Sequence, residues 1–584
     1  MEDLRRELIR SIVNECKEAG VHATKDFASF LLTLFQLNPA YGIKADDEAC
    51  NEKIVRAITE KICDQDKPSL TILKNQLYFA KHYHERDETV KRHRLRLHKK
   101  TGPMVAEICE TEKITNNEES QRLYQKMLLV ITVLSGLGSP TVPPVLREVS
   151  VALQSVFQPS ELGQYVRMSK REKEEQLMEL MCTVAGIRLF NRDCQRGGEG
   201  IDDLPAILQE ATKRTRDSVM EYLERLMLKI YKFTTAQHRA LITWDIIPFG
   251  IFTKENVTWA IEMLAASRQQ EVYVRKLLSD AERSEKEVKS LVERLQGRLF
   301  KLHDTVRYRT AIPTVQVYPQ FIDLADIWMG LQDEVIILSS VNNFLWELQS
   351  LSIKTVNVYD ETILNDMLSI EKVLTDADRL ERSMGATIVD CGPCTLYYPN
   401  DTKDFENINL EFLGFCAWTF VLGEGALLPG NPNNGVAKWR GKYYVFSTKQ
   451  AALNFGADPD KYVYEALDFI RNHLEYVYLF QMYEDIEALK AQEVIKRFKR
   501  TCTYFHPRCI CISRCATRST QTYKSNFRYG VYVQAAPPRD KEVQTRRDNY
   551  MNTKKLLTYI YGLRGRRDDN QHVLSFLEDE LEHL

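Results

Sequence analysis

From Leu4 to about Tyr165 the apolar residues recur three and four positions apart, as in Leu8, Ile12, Val13 and Cys16, then Phe30, Leu31, Leu34, Phe35 and Leu37. That spacing gathers them on one face of a helix and predicts a succession of helices. Asn38-Pro39 closes the second of these. Pro68-Ser69-Leu70 opens another, with Leu70, Leu73, Leu77, Phe79 and Ala80 as its buried side, and this helix is expected to run on into the basic stretch 91–100. That stretch reads as a solvated helix face or as a contact for an acidic partner. The run Leu134-Ser135-Gly136-Leu137-Gly138-Ser139-Pro140, followed by Val142-Pro143-Pro144, breaks the pattern and marks a connection between helices. Helical spacing resumes over 146–157 and 170–190, then stops at a loop over 191–205.

Two long helices are predicted next, over 206–231 and 254–306. In the second, Val288, Leu291, Leu295 and Leu299 step by three and four among alternating charges, which describes an amphipathic helix able to pair with a neighbour. Ile312-Pro313 ends it, and 321–351 reads as one or two further apolar helices. Beyond Asp360 the texture changes to short apolar runs at 386–389, 396–398, 415–422 and 443–446, separated by turn residues, as a small α+β unit would show. Helical spacing returns over 462–500; from Thr501 it fades, up to a last short helix near 572–581. The expected fold is mainly α: a helical domain over 1–165, a long-helix domain over 166–360, a small α+β module over 361–475, a helix over 476–500, and an extended basic tail over 501–584.

Charge changes this picture only locally. Lys and Arg total 79 against 81 Asp and Glu, so no global field draws the chain to nucleic acid or to an anionic membrane. The tail is different: between Lys496 and Arg567 basic residues outnumber acidic ones by fifteen. No stretch approaches the roughly eighteen uninterrupted apolar residues that span a bilayer, and the start carries no apolar signal region, so a soluble, unsecreted chain is expected. Thirteen cysteines without framework spacing read as reduced thiols, mostly buried and structural.

Three constellations could carry chemistry. Cys391-Gly392-Pro393-Cys394 has the form of a redox dithiol, but such chemistry needs the first cysteine at a helix N-terminus, and the following Thr395-Leu396-Tyr397-Tyr398-Pro399 is strand-like. Gly197-Gly198-Glu199-Gly200 invites a phosphate-binding reading, yet no Lys-Ser/Thr follows, and Glu199, Asp202 and Asp203 would repel a phosphate. A structural loop is the better reading, with Gly197, Gly198 and Gly200 allowing left-handed geometry and Asp202 or Asp203 capping the helix that contains Pro205. In the tail, Cys502, His506, Cys509, Cys511 and Cys515 cluster, but without the two separated pairs usual for structural zinc. No nucleophile elbow, zinc-protease pair, Walker loop or kinase signature is present, and neither a catalytic residue, a cofactor nor a metal site is assigned.

The run Gly441-Lys442-Tyr443-Tyr444-Val445-Phe446-Ser447-Thr448-Lys449-Gln450-Ala451, continuing to Tyr462, resembles a YHS-type module, a small metal-binding finger. Where that family has cysteines this chain has Ser447 and Ala451, so the resemblance implies the packed core without its metal ligands. Four blocks in order resemble the cilia- and flagella-associated protein 206 family: 134–140 with Arg147-Glu148-Val149; Arg188-Leu189-Phe190 through Pro205; Leu427-Leu428-Pro429-Gly430-Asn431-Pro432; and the module itself. The resemblance implies a non-enzymatic adaptor of the motile-cilium axoneme. It would lie on tubulin of the doublet microtubule, bind radial spoke base proteins, an inner-arm dynein and other axonemal proteins, and anchor the second radial spoke. Neither nucleic acid nor membrane is an expected partner. The tail keeps a Gln-Thr pattern that recurs in tails of the family, at Thr520, Gln521, Thr522, Gln544 and Thr545. With Lys496, Arg497, Lys499, Arg500, Arg546 and Arg547 these form the candidate partner-binding segment. Two other readings remain: a cytosolic thiol oxidoreductase using Cys391 and Cys394, and a general microtubule-associated protein.

Overall fold

In the computed structural model the described residues are 2–41, 48–65, 67–243, 253–307, 313–356, 361–368, 372–383, 387–388, 390–399, 405 and 408–489. The chain opens with α1 (Glu2–Glu18), α2 (Lys25–Phe35), α3 (Glu48–Cys63), α4 (Pro68–His82), α5 (Arg86–Glu110) and α6 (Asn117–Ser135). It continues through α7 (Pro143–Val156), α8 (Leu162–Tyr165), α9 (Lys170–Asp193), α10 (Leu204–Thr243), α11 (Lys254–Arg307) and α12 (Thr314–Val356). After α13 (Glu361–Leu368) and α14 (Asp376–Arg382) come β1 (Thr395–Tyr397), α15 (Ala417–Leu422), β2 (Val436–Trp439) and β3 (Lys442–Val445). The last elements are α16 (Lys449–Ala457), α17 (Pro459–Asn472) and α18 (Glu475–Leu479). The fold is therefore mainly α with one small antiparallel sheet.

Helix ends follow local chemistry. Ser169 accepts from the Glu172 N–H while the Glu172 carboxylate accepts from the Ser169 N–H at 3.0 Å, a capping box that starts α9. The same backbone and side-chain donors hold the Glu172 carboxyl below its ordinary value. Gly136, at φ 63°, closes α6 in the left-handed region, and Pro143 starts α7 where a missing N–H costs nothing. Arg440 and Gly441, at φ 49° and 83°, make the tight turn between β2 and β3.

The described elements fall into two compact units that do not follow linear segments of the chain. One takes residues up to His82, Glu224–Tyr273 and residues from Ser350 onward; the other takes Tyr83–Leu223 and Val274–Gln349. The first of the five expected segments, 1–165, thus contributes to both, and so do α10, α11 and α12. In the second unit α5, α6, α7 and α9 bury Ile108, Met127, Ile131, Leu153 and Val184. A neighbouring core in the same unit joins Leu189 and Leu208 to Val288, Leu295, Leu324 and Leu331 of α11 and α12. The first unit buries Ile12, Leu31, Leu34, Ile58 and Leu73 of its N-terminal helices and holds the sheet. Strand order is β1-β2-β3, with Leu396 opposite Ala437 and Val436 opposite Val445.

Several boundaries differ from the sequence reading. The helix beginning at Pro68 does not run into the basic stretch: it ends at His82, and α5 starts at Arg86 after Tyr83 turns to pack edge-on against Phe344 and hydrogen-bond Asp280. Within the basic stretch Arg92 pairs with Glu88, and Arg94 reaches Asp333 on α12. Helix α10 runs past 231 to Thr243, because its burial continues through Phe233, Ala236 and Ala240. The run 415–422 is helical from Ala417. Of the helix expected over 462–500, the described part is broken into α17, α18 and a last helical stretch over 483–489, and the chain turns after Asn472 so that Tyr476 and Phe480 meet Phe420 edge to face, at 5.3 and 5.2 Å. That aromatic cluster outweighs the local helical preference of the segment. The reading of 490–584 lies outside the described residues.

Candidate functional site

The glycine-bearing loop between α9 and α10 is where two of the four sequence blocks meet, 134–149 and 188–205. Arg188, on α9 and fully buried, donates through one terminal nitrogen to the Leu137 carbonyl and through the other to the Glu199 carbonyl at 2.8 Å and to Glu148 Oε2 at 3.1 Å. Glu148, on α7, in turn accepts from the Gly198 N–H at 2.7 Å and from the Glu199 N–H at 2.9 Å. Two consecutive backbone N–H groups of this kind form a small anion-binding concavity. Here its anion is a carboxylate of the same chain, paired with a buried guanidinium. A phosphate would have to displace both the carboxylate and its partner, which is the physical reason this loop does not present a nucleotide site.

The glycines fit that geometry. Gly198 and Gly200 have φ of 92° and 72°, and a Cβ on Gly197 would stand 2.7 Å from the Glu148 carboxylate. Gly138 and Gly200 back onto each other and onto Val145, so 134–140, the start of α7 and the loop lock together. Asp203 sits just before α10: its carbonyl accepts from the Ile207 N–H, and its carboxylate lies 3.8 Å from Arg192. Asp202 contributes its carbonyl to the Leu204 N–H. Sequence reasoning missed the role of Glu148: fifty residues separate it from Gly198, and no local spacing links them.

The dithiol turn is built against reactivity. Cys391 is buried, its thiol donates to the Ala452 carbonyl at 3.3 Å, and burial together with the neighbouring Cys394 pushes its pKa up to about 12. Burial raises the Cys394 thiol as well. The residues directly after Cys394 form β1, so no helix dipole favours a thiolate there. Gly392, at φ 58°, presses onto α16, where a Cβ would stand 2.3 Å from the Gly456 carbonyl oxygen. The turn is thus packed between strand and helix and holds neutral thiols.

In the module, Phe455 lies at the centre of a buried aromatic group, 5.2 Å from Tyr444, 5.0 Å from Phe446 and 6.2 Å from Tyr462. Ala451 is fully buried in α16, Thr448 caps that helix through the Ala451 N–H, and Asp458 caps α17 through the Lys461 N–H. Among the described residues no group of three or more His, Cys, Asp or Glu side chains is arranged to hold a metal ion. Nor, among them, is any helix long and apolar enough to cross a membrane. The described cysteines are all free thiols. The candidate partner-binding residues Lys496, Arg497, Lys499, Arg500, Thr520, Gln521, Thr522, Gln544, Thr545, Arg546 and Arg547 lie outside the described residues, as do the tail cysteines and His506.

Comparison with known proteins covers nearly the whole chain. A family profile described as FAP206, a domain of unknown function, matches residues 207–487. The chain is 31% identical to the cilia- and flagella-associated protein 206 of Bos taurus and 30% identical to that of Homo sapiens, in each case over 97% of this chain and 96% of the other. Against the protein of the same name from Tetrahymena thermophila it is 25% identical over 82% of this chain and 77% of the other. No solved structure matches it. With its helical bodies, its sheet module and its internally satisfied glycine loop all lying inside an end-to-end similarity, the chain belongs to the cilia- and flagella-associated protein 206 family.

Proposed function

We propose that this protein is a structural adaptor of the motile-cilium axoneme. It sits on the doublet microtubule and anchors the second radial spoke and a neighbouring inner-arm dynein. As a family member it is a protein of the cilium or flagellum; the position within the axoneme is our reading. The observation that carries it is the extent of the similarity, which takes in 97% of the chain and so its whole architecture instead of one borrowed module. The interior of the loop, where Glu148 and Arg188 satisfy the groups a substrate anion would need, supports a mechanical role. Coupling two assemblies calls for buried interface and complementary charge, not for a reaction centre. In this reading the basic segment that includes Lys496, Arg497, Lys499, Arg500, Arg546 and Arg547 lies against the acidic surface of tubulin, with spoke-base proteins and dynein held by the folded units.

The test is a tagged copy in a motile-ciliated cell, with detergent extraction of the cilia and tomography of axonemes that lack the protein. Retention on the extracted axoneme, with loss of the second spoke and its adjacent inner arm in the null cells, is the expected result. Retention with all spokes in place would leave a general microtubule-associated protein instead. A soluble cell-body signal would overturn the adaptor reading.

A further inference from the structure

Helix α5 carries Lys91, Arg92, Arg94, Arg96, Lys99 and Lys100, and from Thr89 to Ala106 it carries no carboxylate. Two of these cations are matched inside the fold, Arg92 by Glu88 and Arg94 by Asp333. Lys91, Arg96, Lys99 and Lys100 are exposed and, among the described residues, have no ion-pair partner. The arrangement works against the helix itself. Arg96 lies one turn from Arg92, Lys99 and Lys100, and like charges three or four positions apart on a helix repel. Other helices of this chain pair opposite charges at that spacing, as in Arg122–Glu118, Arg171–Glu175 and Arg214–Glu210. A merely solvated face gains nothing from a single sign of charge, whereas a surface that docks an anion does.

The same strip edges a groove of about 680 Å³ between α5, α11 and α12. Leu95, 55% exposed in the middle of the strip, shares its apolar lining with Val90, Leu291 and Ile337. Inside the groove charge is balanced: Arg86 pairs with Glu334 and Arg94 with Asp333, while Lys91 and Arg283 offset Asp87 and Glu287. The unbalanced charge therefore lies along the α5 rim, at Arg96, Lys99 and Lys100, beside an apolar hollow.

We propose that this rim and groove dock an acidic segment of a partner protein, with its carboxylates on Arg96, Lys99 and Lys100 and an apolar side chain beside Leu95. A protein segment supplies acidic and apolar side chains in one short stretch, as groove-bound peptides do. A nucleic acid would carry phosphate along its whole length, past Asp87 and Glu287, and among the described residues no Phe, Tyr or Trp lines the groove to stack its bases. A helix that lies on a membrane needs a broad apolar face, and Leu95 is the one large apolar side chain exposed on α5 among the described residues. This chain's own acidic run, Glu578-Asp579-Glu580-Leu581-Glu582, follows a segment whose basic excess is fifteen, so it has cations nearer in sequence to meet. The inference uses only the strip and its groove, and holds wherever on the axoneme the protein is placed.

Carbodiimide crosslinking of isolated cilia that contain the full chain reads the contact, because it joins a lysine amine to a carboxylate that touches it. The expected products link Lys99 or Lys100 to Asp or Glu within an acidic run of another protein, identified by mass spectrometry. Arg96→Glu keeps both lysines and reverses the charge between them and the groove, so it should lower their yield per copy of the chain about tenfold. Arg546→Gln with Arg547→Gln should leave that yield unchanged. If the reversal disturbs α5, Arg96→Gln should still lower the yield, about threefold. Products only with this chain's own carboxylates, those of 578–582 included, overturn the proposal. So does a yield that neither Arg96 variant changes, or the absence of product at Lys99 and Lys100 while other lysines of the chain react, which would mean that solvent or a phosphate polymer faces the strip. A crosslinked partner outside the spoke and dynein assemblies would overturn the adaptor position and support this docking surface.

Discussion

At the scale of single residues, Glu148 joins segments fifty positions apart in the chain. It neutralises the buried Arg188 and fills the amide concavity at Gly198 and Glu199. Glu148→Ala removes the carboxylate that faces the buried Arg188 and leaves the Gly198 and Glu199 N–H groups without their acceptor, so it should cost about 3–5 kcal/mol, seen as a lower denaturation midpoint in chemical unfolding. Wild-type protein should show no shift in melting temperature with millimolar ATP, since the concavity is filled. Glu262 offers a prediction of the opposite sign. Burial raises its carboxyl above the ordinary value and the Glu475 and Asp64 carboxylates push the same way, while Lys61 and Lys67 pull it down. A raised acid holds its proton more tightly when folded. Its ionised form therefore subtracts stability as pH rises from the unfolded value of about 4.3 through the folded one. Glu262→Gln should melt higher than wild type at pH 7, with the difference shrinking towards pH 4, measured by thermal melts across that range.

At the scale of elements, the contact between α9 and α12 depends on the absence of a side chain. A Cβ at Gly186 would stand 2.1 Å from the Phe321 carbonyl oxygen, a backbone atom that cannot rotate aside. Gly186→Ala should separate the helices and cost about 1–3 kcal/mol, whereas Gly297→Ala, where nothing lies within 4 Å, should stabilise α11 by about 0.5–1 kcal/mol. Chemical denaturation of the two variants in parallel distinguishes packing from helix propensity, because propensity alone would stabilise both. The hairpin of β2 and β3 with α16 shows the complementary case. There the aromatic group around Phe455 fills the interior between the hairpin and α16, with Ala451 fully buried beside it.

At the scale of the whole molecule, positive charge is concentrated between Lys496 and Arg567 in a chain whose total charge is nearly balanced. Deleting 501–584 should weaken co-sedimentation with microtubules at low salt by an order of magnitude or more, while the melting profile of the remaining chain stays the same. Raising the ionic strength from roughly 50 to 200 mM should weaken full-length binding and leave the truncated chain little changed, because screening acts on exposed charge. Salt-independent binding by the truncated chain would move the tubulin contact onto the folded units.

The sequence alone determined the helical character of most of the chain, the break between α6 and α7, and the change of texture near β1. Each of these is written in residues a few positions apart: apolar steps of three and four, a Gly or Pro at a turn. The same local rules already separate Cys391 from a helix N-terminus. Only the tertiary structure decided how distant segments share an interior. The break between α17 and α18 is set by the aromatic cluster around Phe420, and the extension of α10 by burial beyond Tyr231. The interleaving of 1–82, 224–273 and the region from 350 is invisible to any window of neighbouring residues. The filling of the glycine loop by Glu148 has the same cause: a carboxylate fifty residues away competes for amides that, read locally, stand open. Local spacing encodes which face of an element is buried; which partner buries it is a property of the folded chain.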